Sequence, residues 1–145
     1  MERLGSAIVA FVDPVGLSEG ATTSGEHLVF RQDVQAGTDV TGFGLLGHLY
    51  KMARASGVTA VVDAASVPYL TGARQAVADG YVSGGTRRNL DWVRPHADLS
   101  AAGEDEALLL ADAQTSGGLL LGGEVPGAPV IGEFVPRRET VVVLR

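Results

Sequence analysis

Residues 38–48 read TDVTGFGLLGH, and no other stretch restricts the fold so tightly. Gly42, Gly44 and Gly47 stand in the spacing G-x-G-x-x-G. A glycine inside a helix costs on the order of 1 kcal/mol against alanine, so a helix starting here must recover that loss through close packing or a special backbone angle. Dinucleotide-binding folds use the same spacing, with an apolar strand running into the first glycine and helix N–H groups facing a pyrophosphate. Asp63 even follows about 20 residues later, where such folds keep a ribose-binding acid. The run-up argues otherwise. VQAGTDVT holds a glycine, an acid and two threonines in place of an apolar strand, and the Asp39 carboxylate would repel a phosphate unless a cation intervened. The residues therefore favour packing as the role of the glycines and a metal-assisted site over a bare phosphate cradle.

Around this motif the chain alternates strand-like and helix-like segments. HLVF and VQA have strand character. Thr41 is a candidate N-cap, with Phe43, Leu46, Tyr50 and Ala53 on one helix face and Gly57 as the stop. VTAVVDA reads as a strand, and VPYLTGARQAVADG as a turn at Pro68 followed by a helix that carries Leu70, Ala73 and Val77 and closes at Gly80. SGGTRRNLDW reads as a polar loop, EDEALLLADA as a short helix, GGLLLGG as a bracketed apolar triplet, and VIGEFV and TVVVL as late strands. Strands interleaved with helices imply an α/β (α+β) sandwich, a mixed β-sheet covered by helices. Residues 1–27, with one short apolar run at 7–12 and the Gly/Ser/Thr-rich GLSEGATTSGEH, read as a divergent N-terminal arm.

Several function classes fall away on composition. The net charge of −6 and the scarcity of basic clusters, only Arg87-Arg88 and Arg137-Arg138, exclude a nucleic-acid partner. The absence of cysteine removes disulfides, thiolate nucleophiles and Cys-bound zinc, and the three histidines form no H-x-x-x-H pair. The apolar run at 7–12 is too short for a signal core or a membrane span, so a cytoplasmic protein without membrane contact is expected.

TDVTGFGLLGH at 38–48, VP at 67–68, GGTRRN at 84–89 and DAQTSGG at 112–118 occur in that order, and together they resemble the C-terminal domain of selenophosphate synthetase (selenide, water dikinase) over about residues 34–123. The aminoimidazole-ribonucleotide synthetase-like superfamily shares looser versions of these strings. The resemblance implies a C-terminal-type domain over residues 28–145, shortened after 123, where EVPGAPVIGEF runs straight into a late strand in place of a helix. It also implies a transferase of selenium metabolism that makes selenophosphate from selenide and ATP with Mg2+. In that family the acid of TDVTGFG holds magnesium at the ATP phosphates, and the matching residue is Asp39. The family's catalytic Cys or Sec, its Lys and its clustered aspartates belong to an ATP-binding N-terminal half, the implied partner, so no catalytic residue is assigned to this chain and the isolated chain is expected to be inactive. A homodimer is compatible with this reading.

The remaining candidates have plainer roles beside sharper ones. His48 reads as a satisfied helix histidine. Thr86, Arg87 and Asn89 either meet an anion or lie on a solvated loop, Thr115 and Ser116 suit a tight turn, and Trp92 and Tyr81 suit a core edge or a domain interface. The alternative function is a stand-alone module that keeps the fold without chemistry, or binds a nucleotide through the glycines; a strand from Val34 feeding Gly42 would favour it.

Overall fold

The computed structural model describes residues 7–10, 34–113, 117–123, 125 and 127–145. HLVF, Thr115 and Ser116 lie outside the described residues. Strand β1 (Ala7–Ala10) is followed by β2 (Val34–Asp39), α1 (Gly44–Ala55), β3 (Val58–Val62) and a 3-10 turn at Ala64–Ser66. Then come α2 (Ala73–Ala78), α3 (Gly84–Val93), a second 3-10 turn at Arg94–His96 and β4 (Ala97–Asp98). The chain closes with α4 (Glu104–Leu110), β5 (Leu119–Gly123), β6 (Val130–Pro136) and β7 (Val142–Leu144).

The strands form one mixed sheet in the order β2-β5-β1-β6-β3-β7-β4. β7 runs parallel to both β3 and β4, and every other pairing is antiparallel. Edge strand β2 alternates a buried or half-buried residue with an exposed one, whereas β3, an interior strand, buries residues 59–62 without a break. Helix α1 lies across the sheet because Leu46, Leu49, Tyr50 and Ala53 recur at helical spacing and are all buried. Its stop is the one expected: Gly57 has a φ of +68° and donates its N–H to Arg54 O. The result is a mixed α/β fold whose sheet is partly covered by helices.

Four local readings need correction. Helix α1 is not capped by Thr41; it begins at Gly44, after Phe43, with no side-chain cap. GGTRRN is helical, because Ser83 Oγ accepts the Thr86 N–H as an N-cap and Thr86, Leu90 and Val93 form a buried face. Leu70 precedes helix α2 and is 55% exposed, since Gly72, with a φ of +88°, delays the helix to Ala73. Finally, Ala7–Ala10, inside the stretch read as an arm, sits between β5 and β6, with Ile8 fully buried. The apolar triplet in GGLLLGG is the strand pairing β2 to β1. Between Gly123 and Val130 the described residues form a turn and no helix.

Candidate functional site

Three motifs far apart in sequence meet at the start of α1. Asp39 pairs with Leu119 at the end of β2, and Val40 exchanges backbone hydrogen bonds with the 117–118 glycines: its N–H donates to Gly118 O at 2.9 Å and its carbonyl accepts from Gly117 N–H at 3.0 Å. Asn89, on α3, donates its amide hydrogens to Gly42 O at 2.8 Å and to Ala111 O at 3.1 Å. One amide thereby joins the turn after Asp39 to the end of α4. Thr86 is almost wholly buried, donates to Asp112 Oδ1 at 2.6 Å and accepts the Ala113 N–H at 3.3 Å. The motifs TDVTGFG, GGTRRN and DAQTSGG therefore form one junction, with Asp39 exposed at its rim.

The glycines divide by role. Gly44 has a φ of +70°, and a Cβ there would lie 2.5 Å from Ala111 O and 2.7 Å from Asp112 O. At Gly47 a Cβ would strike Phe43 Cβ at 2.7 Å and Trp92 at 3.2 Å. Gly42 faces open space. A strand does run from Val34 towards Gly42, in keeping with the strand character read for VQA, and it ends at Asp39. It is, however, a polar edge strand rather than the apolar one a dinucleotide fold needs, and the Cβ position of Gly44 is closed off by the Ala111 and Asp112 carbonyls, so that glycine serves close packing. Asp63 is also engaged elsewhere: its carboxylate accepts from Ala65 N–H and Ser66 Oγ, capping the 3-10 turn at Ala64–Ser66.

Side chains around the junction are mostly committed. Thr86 and Asn89 make internal hydrogen bonds in place of the anion contacts considered for them, while Arg87 is exposed. His48 is satisfied, as expected, through Thr41: the Thr41 N–H donates to His48 Nε2 at 3.0 Å. Burial lowers the His48 pKa, with nearby Lys51 acting in the same direction and Asp39 opposing both. Trp92 is 40% exposed and packs against Phe43 and Tyr50, with Lys51 Nζ 4.7 Å from the Phe43 ring centroid, so the junction has an aromatic and basic flank. Tyr81 is 80% exposed and lies outside the core. Among the described residues no three His, Cys, Asp or Glu side chains cluster as a ready-made metal cage. The bridging of Asn89 and the Thr86–Asp112 pair escaped the sequence reading, because neither spacing nor composition shows which carbonyls a side chain will meet.

Residues 23–145 match the sequence profile described as AIR synthase related protein, C-terminal domain. The chain is similar to the selenide, water dikinase of Bordetella bronchiseptica, 51% identical over 94 residues, which is 65% of this chain and 27% of that protein. The Geobacter metallireducens selenide, water dikinase is 45% identical over 98 residues, 68% of this chain and 29% of that protein. The Trichlorobacter lovleyi selenide, water dikinase is 37% identical over 133 residues, 81% of this chain and 38% of that protein. The chain thus spans well under half the length of these relatives.

Proposed function

Because the chain belongs to the family of AIR synthase related protein C-terminal domains, we propose that it serves as the C-terminal domain of an ATP-dependent selenophosphate synthetase, forming one wall of a cleft where selenide and ATP react. The observation that carries this reading is the junction itself: the motifs TDVTGFG, GGTRRN and DAQTSGG, on which the resemblance to selenophosphate synthetase rests, fold together around Asp39.

Asp39 is the magnesium ligand in this reading. The chemistry fits. Magnesium takes hard oxygens, usually one or two carboxylates with phosphate oxygens and retained waters, and Asp39 offers an exposed carboxylate with no ion pair among the described residues. Bound magnesium would neutralise phosphate charge. The chain's own residues supply positioning: Asn89 and the close approach of Gly44 to Ala111 fix the turn beside Asp39, and β5 fixes the strand that ends on it. The reacting nucleophile and the nucleotide pocket belong to an N-terminal half acting as partner.

Joining this chain to the upstream part of the Bordetella bronchiseptica enzyme tests the reading, with selenophosphate followed by phosphorus NMR. The fusion should make product, and Asp39→Asn should raise the magnesium needed for half-maximal rate at least about tenfold, with partial recovery at high magnesium. Superimposable magnesium curves for the two proteins would refute the assignment.

A further inference from the structure

The turn that carries Asp39 into α1 is held by backbone pairing as far as Val40 and is weakly determined by its own backbone beyond it. Gly42 has no neighbour within 4 Å of a would-be Cβ, and a glycine in open space samples many backbone angles. The hydrogen bond from Gly44 N–H to Thr41 O closes the turn locally, yet neither Thr41 N–H nor Gly42 O is held by strand or helix pairing. Side chains hold both. Asn89 takes Gly42 O from the α3 side, and His48 Nε2 takes Thr41 N–H from within α1, with Thr41 Oγ1 3.1 Å from the same nitrogen. A backbone N–H can only donate, so Nε2 must present its lone pair and the ring must carry its proton on Nδ1. Phe43 packs edge-on against the imidazole, ring centroids 5.5 Å apart, and limits its rotation.

We infer that His48 is a positioning residue for Asp39: its Nε2, anchored on α1, holds the backbone two residues beyond the carboxylate and so sets where the Asp39 oxygens point. The inference rests on the reading of Asp39 as a magnesium ligand. Neutral imidazole is the form the clamp needs, and burial, the main influence on the ring, favours that form; of the two charges acting on it, Lys51 also favours it and Asp39 opposes it. A helix histidine with no duty towards the turn would need neither this tautomer nor this partner.

Two substitutions separate the clamp from mere bulk. His48→Gln can place an amide oxygen near the Nε2 position and keep the bond to Thr41, whereas His48→Phe keeps the ring and loses the acceptor. In the chain itself, long-range proton–nitrogen NMR should show the Nδ1–H tautomer, and Thr41 amide exchange should quicken on the order of tenfold in His48→Phe while staying near wild type in His48→Gln. In the fusion with the Bordetella bronchiseptica upstream part, His48→Phe should raise the magnesium requirement several-fold with little change in kcat at saturating magnesium, and His48→Gln should restore it. An Nε2–H tautomer in the wild-type chain overturns the inference even if His48→Phe does not fold. A His48→Phe magnesium curve equal to wild type, beside a shifted Asp39→Asn curve, overturns the inference and leaves the reading of Asp39 standing. Unshifted curves for both bring down the two together.

Discussion

Gly42 and Gly44 are two residues apart and make opposite demands. Gly44 combines a φ of +70° with a backbone carbonyl 2.5 Å from where a Cβ would sit, while Gly42 has free space around it. Gly44→Ala should therefore cost at least about 2 kcal/mol from left-handed strain and overpacking, and Gly42→Ala less than about 1 kcal/mol. Urea denaturation of the two variants checks this, and equal losses would remove packing as the reason for Gly44. The need for close packing somewhere in TDVTGFGLLGH was legible in the sequence. Which glycine meets what was not, because the neighbours of Gly44 come from Ala111 and Asp112, far along the chain. Thr86 shows the same limit: its hydroxyl suited an anion on sequence alone, and its actual partner is Asp112.

Elements with strong internal periodicity were legible, and those that depend on remote pairing were not. Helix α1 and strand β3 have their signals in their own residues, as Leu46, Leu49, Tyr50 and Ala53 show for the helix and residues 58–62 for the strand. Helix α3 was legible in principle through Ser83 as cap and Thr86, Leu90 and Val93 as face, but two glycines and two arginines masked it as a loop. Strand β1 has only four residues, and its partners lie more than a hundred residues further along the chain. Ile8 is nonetheless fully buried in the main core. Ile8→Ala should cost about 2–5 kcal/mol as a core truncation, although residue 8 precedes the segment matched to the family profile. Chemical denaturation measures it; a loss below about 0.5 kcal/mol would place β1 outside the cooperative unit.

At the scale of the whole molecule, the mixed sheet with helices over it followed from the alternation of segments, whereas the strand order β2-β5-β1-β6-β3-β7-β4 did not, since pairing between distant strands leaves no local pattern. Among the described residues Asp39 is the exposed carboxylate at the rim of the junction, and the chain has no cysteine. Incubated alone with ATP, selenide and magnesium, the chain should consume ATP no faster than a protein-free control; a rate well above that control would mean that this chain holds the reacting groups itself. The placement of β1 also orders events in time. Synthesis delivers β1 before any other described strand, yet both of its neighbours, β5 and β6, come after residue 118. This interior strand thus leaves the ribosome without either neighbour to pair with, and the middle of the sheet closes only near the end of translation. Contacts this distant slow folding and leave an unpaired strand exposed to other chains in the meantime.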